Sequence, residues 1–340
     1  MAKVKKNTGA PEDPLVLNNE YLPFLFKSTD KGAIRSQKVH FAFTWIELVF
    51  VSLAAVAEFV GRQYTSAIAD LLHISGGISV VGINVSAHDF RNWLASNIFA
   101  AGFMIIAIIA FAARYWFHRA ELWRRQRSLA EATKSLAWRF VMHAISRQAY
   151  LDEYDKQRQQ ADKLRLTPPE TNDAVITERM EAIHAASPTE QQRVYTMFRL
   201  EDQAVWYAGK ARKFIRQSRT LQVARVGVYV VGLVLILGGF GTNVFAVITT
   251  IAGGLATWLA GRHYDDLSQS YTSMASKLLE YIARAKTVVS EGQSSDEQQD
   301  RLATFVKEVE SFLDGEHQIW LREIAPKQEV AQAAASQSGD

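Results

Sequence analysis

From Val226 to Gly261 the chain carries no charged residue. As one helix those 36 residues would measure about 54 Å, against a hydrocarbon core of about 30 Å, so a single span cannot hold them. The run GGFGTN, Gly238 to Asn243, is a cluster of turn formers that divides the stretch into two helices, about 221–237 and 244–261. Leu94 to Ala113 is a second charge-free stretch long enough to span, and Phe41 to Val60 is apolar apart from Glu47 and Glu58. The reading is an all-α membrane protein: four transmembrane helices as two hairpins, plus a cytoplasmic helical bundle. Buried helices of a soluble protein are the competing account, and apolar stretches of this length weigh against it.

Topology follows from the bias of Lys and Arg. Lys3, Lys5, Lys6, Lys27, Lys31, Arg35 and Lys38 precede the first span, and Arg114, Arg119, Arg124, Arg125, Arg127, Lys134 and Arg139 follow the second. Between those spans stand only Arg62 and Arg91, and the Gly238 to Asn243 turn has no basic residue. Both termini and the long middle segment are therefore expected in the cytoplasm, with 61–92 outside. The N-terminal MAKVKKNTGAPEDP lacks the apolar core of a signal peptide. Lys+Arg 38 against Asp+Glu 35 leaves +3, too balanced for a dedicated duplex-DNA binder. With no cysteine, disulfides, cysteine zinc sites, iron–sulfur clusters and thiol catalysis are excluded together.

Outside the spans the pattern is helical. The organisation expected is a cytoplasmic N-terminal tail at 1–40, a first hairpin with its long helix at 41–160 and a linker at 161–190. A second module follows at 191–325, and then a disordered tail at 326–340. A break is placed near Ser146, and TPPETND from Thr167 to Asp173 ends the long helix. Capping boxes at Ser187 with Glu190, followed by Pro188, and at Ser294 with Glu297 start two further helices, the last running to about Ile324. Strand signals are nearly absent, except ISVVGINV in the outer loop, where a short hairpin is one reading. Each hairpin ends in an arginine beside aromatics, Arg114, Tyr115 and Trp116 or Arg262, His263 and Tyr264, before another helix, as two copies of one module would.

No phosphate loop, nucleophile elbow or HExxH is present, so the chain reads as no enzyme, with no cofactor and no metal. His73, His88 and Asp89 are spaced as solvated loop residues rather than as ligands. Glu47 and Glu58 lie about 20° apart on one stripe with Val51 and Ala54, and an ionisable group inside a span is a pathway candidate. The plainer account pairs Glu58 with Arg62 and bonds Glu47 to a neighbouring helix. Ala252, Ala256 and Ala260 form one small-residue ridge and Gly253, Thr257 and Gly261 the next, which suits close helix packing within a hairpin or an oligomer. Before the third span, Trp206, Tyr207, Lys210, Arg212, Lys213, Arg216 and Arg219 interleave aromatics with cations, a composition fitting a phosphate-bearing, base-containing ligand. Lipid headgroups are the other partner those cations suit.

RSLAEATKSLAWRF (Arg127 to Phe140), RLEDQAVWYAGKA (Arg199 to Ala211), SYTSMASKLLEYI (Ser270 to Ile282) and EHQIW (Glu316 to Trp320) resemble the SLATT family, the SMODS- and SLOG-associating two-transmembrane effectors, here as a tandem pair. The resemblance covers about Trp45 to Ile324. It implies a bacterial inner-membrane effector of antiphage conflict systems that forms pores or perturbs the membrane, often encoded beside a nucleotidyltransferase. The expected function is thus a channel or membrane disruptor under a nucleotide or short-oligonucleotide signal made by such a partner. Its rival is a non-conducting anchor that recruits a cytoplasmic partner. One polar stripe in four helices cannot enclose an aqueous path alone, so a symmetric homo-oligomer is expected, a tetramer preferred.

Overall fold

The charge-free stretches are helical at 94–113, 226–237 and 243–261. In the computed structural model of the chain, the residues described are 15–63, 79–80, 83–84, 87–117, 119–164, 174–239, 243–290, 292 and 294–324. Helix α1 (Phe24–Gln63) is followed by the two-residue strands β1 (Ser79–Val80) and β2 (Ile83–Asn84) and by α2 (Ala87–Trp116). The strands pair antiparallel with Val80 opposite Ile83, the short hairpin read from ISVVGINV. Then come α3 (Arg119–Val141), α4 (Arg147–Lys163), α5 (Glu178–His184) and α6 (Pro188–Tyr195). A π-helical segment, Thr196–Glu201, leads into α7 (Asp202–Leu237), and α8 (Asn243–Arg262), α9 (Tyr264–Ala285) and α10 (Ser295–Ile324) complete the chain. Four helical stretches, Phe24–Gly61, Asn97–Trp116, Pro188–Leu237 and Val244–Ala285, are long and apolar enough to cross a membrane.

Two units divide these elements: one of residues up to 35, 121–211 and from 269 on, the other of 36–120 and 212–268. The first is the helical bundle, and its core holds Trp138, Phe140, Tyr150, Met180, Ile183 and Tyr195, all fully buried. The second contains the spans, and it wears its apolar side chains outward. Ile105, Ile108, Ile109, Val223, Val234 and Leu237 are exposed there, which in water would be an aggregation surface and in lipid is the ordinary exterior. The chain is accordingly a multi-pass membrane protein.

Capping explains the helix ends. Ser187 accepts from the Glu190 amide while the Glu190 carboxylate takes the Ser187 amide, closing the expected box at Pro188. Ser294 likewise accepts from the Glu297 amide at 3.2 Å, and Ser146 caps α4 by accepting from the Ala149 amide. Gly239, at φ +85°, takes the left-handed turn that ends α7, a conformation glycine adopts without a Cβ clash.

Two expectations change. Residues 24–40 are not a tail but the first turns of α1, because Leu22, Leu25, Phe26, Thr29 and Ala33 recur at helical spacing and are buried in the bundle. Within 161–190, expected as a linker, α4 continues to Lys163 and Thr177 caps the short helix α5. The breaker at 167–173 and the tail at 326–340 lie outside the described residues, as does His73; the side chains of Arg62, His88 and Asp89 also lie outside what is described.

Candidate functional site

In the span unit the stripe read from the sequence faces inward. Ala54 is buried and Glu47, Val51 and Glu58 are half-buried, while Ile46, Val49, Leu53, Val56 and Val60 on the opposite face of α1 are exposed. Glu47 is held by Arg114 from the last turn of α2 at 3.0 Å, and Arg114 also reaches the Thr44 hydroxyl at 3.5 Å. Two half-exposed partners, each 28 % accessible, make this an ion pair at the edge of a polar layer rather than a sealed one. At the end of the second hairpin, Arg262 sits over aromatic rings, 3.4 Å from the Phe41 centroid and 4.8 Å from that of Trp258. Those cation–π contacts stand where a carboxylate stands in the first hairpin. Tyr115, Trp116 and Phe117, which follow Arg114, are exposed.

The two small-residue ridges of α8 have different surroundings. Ala252 is buried and Ala256 half-buried, but Ala260, Gly253, Thr257 and Gly261 are exposed, and a Cβ added at Gly253 or Gly261 would meet nothing within 4 Å. The close approach within the second hairpin is made instead at Gly232, where a Cβ would come within 2.8 Å of Ile248.

The seven aromatic and basic candidates fall in both units. Arg212, Lys213, Arg216 and Arg219 belong to the span unit and are exposed. Trp206, Tyr207 and Lys210 belong to the bundle, where the first two form an aromatic triad with Tyr271: ring centroids lie 4.9, 5.7 and 5.4 Å apart. Lys210 sits over the Trp206 ring at 5.3 Å. The triad lines a cavity of about 60 Å³ together with Arg127, Glu131, Arg199, Gln203, Ser270 and Asp314. Three of the sequence strings quoted above, far apart in the chain, thus converge on one cavity in the bundle.

Its deep wall is ionic. Arg199, in the π-helical segment, gives Nε and Nη2 to the Glu310 carboxylate at 2.9 and 2.6 Å, and the Tyr195 hydroxyl donates to the same carboxylate at 2.9 Å. The wider π turn sets Tyr195 and Arg199 on one face toward Glu310. Nη1 of Arg199 is buried with no partner among the described residues, a donor left over in the cavity wall. Arg139 and the Ser135 hydroxyl hold Asp314, whose carboxyl burial nonetheless pushes up. Arg127 is clamped between Asp30, at 2.7 Å, and Glu131. Beside this group Lys134 is buried, donates to Asn19 at 3.2 Å, and is lowered to about 8 by burial and then by Arg199.

Arg127 was named in the sequence only as a cation of the topology bias, and Glu131, Arg199 and Tyr271 were not named individually, although all four stand in the quoted strings. What would have found them is the recurrence of aromatic and charged positions across those strings. Residues 195–320 match the family model described as SMODS and SLOG-associating 2TM effector domain 1, SLATT_1. No curated protein and no solved structure matches the chain.

Proposed function

We propose that this chain, which carries a SLATT domain, is a membrane effector of antiphage defence whose spans assemble into an ion path and whose bundle opens or closes that path on binding a nucleotide or short oligonucleotide. The observation that carries the reading is the cavity: arginines, aromatic faces and an unsatisfied guanidinium nitrogen gather around the first turns of α7, and α7 continues unbroken to Leu237. Stacking surfaces with convergent guanidiniums fit a base and a phosphate.

At about 60 Å³ the cavity admits a few water molecules, whereas small-molecule sites run to roughly 300 Å³ or more. A nucleotide therefore enters by prising Trp206 and Tyr207 from Tyr271 and by taking Arg127 from its carboxylates. The binding energy goes into moving the head of α7. A shift from 1:99 to 99:1 needs about 5.5 kcal/mol of differential affinity. Two to four charge-assisted hydrogen bonds at about 1.5–3 kcal/mol each supply it.

The proposal places the chain in the bacterial inner membrane with both termini cytoplasmic, acting without catalysis, as a homo-oligomer beside a nucleotidyltransferase that makes the signal. Support for self-association is the exposed ridge of Gly253, Thr257 and Gly261, where a Cβ at either glycine would meet nothing within 4 Å among the described residues. The parallel order of elements, a long helix into a span, a second span, a break and two further helices, supports the tandem reading. One observation favours the anchor instead: Arg114 on Glu47 gives that carboxylate a structural task.

Vesicles of phosphatidylethanolamine and phosphatidylglycerol carrying the reconstituted chain decide between the two. A panel of cyclic dinucleotides, cyclic trinucleotides and linear oligoadenylates is added, and ion flux is read with an entrapped dye. One class changes the flux, and Trp206→Ala with Arg127→Gln removes the response. Absence of flux with every probe, despite normal insertion, establishes the anchor.

A further inference from the structure

The layer that holds Glu47 and Arg114 contains another charge. Along α7 within the span unit, Ser218 and Gly232 are buried and Leu221, Arg225, Val228 and Leu235 half-buried, in steps of three and four, while Val223, Val226, Val230 and Val234 between them are exposed. This is a seam facing the other spans, as the approach of Gly232 to Ile248 shows, and Arg225 lies on it. Its guanidinium has no hydrogen-bond or ion-pair partner among the described residues.

Contacts between the spans fix its depth. Gly232 is level with Ile248, so Arg225, seven residues back along the antiparallel hairpin, is level with Leu255. Gly254 packs on Leu48, which places Arg225 in the layer of Glu47 and its partner Arg114. Arg262, level with Phe41, marks the rim on that side, about 10 Å further out by helix rise. On the other side Arg225 lies about 18 Å from the end of α7 at Leu237. Arg225 thus lies between those two limits, half-buried on the seam.

We propose that Arg225 makes the membrane path selective for small anions such as chloride, an inference that rests on the conducting reading above. Among the described residues the layer holds two guanidiniums and one carboxylate per chain, so each copy of an assembly adds one unmatched positive charge at the same depth. A ring of such charges lowers the barrier for anions and raises it for cations.

The test is the reversal potential across a planar bilayer carrying the full chain, with a tenfold potassium chloride gradient. The wild type reverses on the chloride side. Arg225→Gln lowers the chloride-to-potassium permeability ratio by about tenfold, Arg225→Lys keeps it, and Arg225→Glu inverts it. If Arg225→Gln and Arg225→Glu do not insert, the wild-type ratio decides, since a potassium-selective wild type overturns the assignment. It is equally overturned if the variants keep the wild-type ratio, or if the ratio follows the exchange of phosphatidylglycerol for phosphatidylcholine rather than residue 225, which would make Arg225 a lipid contact. In those cases conduction itself stands. A wild type that inserts and passes no current removes the conducting reading and this one together.

Discussion

Embedded charge is matched in the bundle, Lys134 apart, and only partly matched in the spans. In the bundle, Arg199 has Glu310 and the Tyr195 hydroxyl beside it, Arg139 has Asp314, and Arg127 has two carboxylates. In the span unit, Arg114 has Glu47, Arg262 has aromatic faces, and Arg225 finds no partner among the described residues. A buried charge without its partner costs several kcal/mol, so matching in the bundle fixes one packing of helices that are far apart in sequence. An unmatched charge inside spans is retained where it meets ions or water. The contrast is between a part whose paired charges fix its packing and a part in which one charge has no partner among the described residues.

The largest effect expected is in the matched part. Glu310→Gln leaves Arg199, 3 % exposed, as an uncompensated buried cation and lowers stability by about 3–5 kcal/mol. Denaturant titration in detergent, followed by tryptophan emission, reads it; a loss under about 1 kcal/mol would place Arg199 in contact with water and erase the contrast.

Lys134 is the bundle's exception, a buried amine that donates to the neutral amide of Asn19. Its folded pKa, about 8, lies below the ordinary lysine value of 10.5, so between those values the unfolded chain binds more protons and stability rises with pH. Below pH 8 the penalty is fully present, of the order of 3 kcal/mol. Lys134→Met is expected to stabilise the bundle by about 1–3 kcal/mol at pH 7 and by less at pH 9.5. A gain that does not shrink with pH would mean the amine is solvated.

Much of this was legible in the sequence. Runs without charge give the spans, because lipid tolerates no other composition over that length, and Ser187 with Pro188 and Glu190 marks a helix start because each satisfies a local backbone group. The inward stripe of Glu47, Val51, Ala54 and Glu58 follows from helical period alone. Arg225 escapes the same reading because a search for charge-free runs begins one residue after it, at Val226; the seam shows only when every third and fourth position is followed through the charge. Arg199 and Glu310 are 111 residues apart, and no local pattern joins them. Trp206 and Tyr207 stand out as aromatics beside cations, but Tyr271, which completes the triad, belongs to a string whose polar residues look like an ordinary amphipathic helix.

The central claim is that the spans conduct through the layer of Glu47, Arg114 and Arg225. Single-channel recording of the purified chain in a planar bilayer, wild type against Glu47→Gln, tests it most directly. The account predicts discrete current steps for the wild type and a conductance changed at least about twofold by Glu47→Gln, since removing the carboxylate frees Arg114 into the same layer. A silent bilayer with the chain demonstrably inserted, or steps identical in the two proteins, would contradict it.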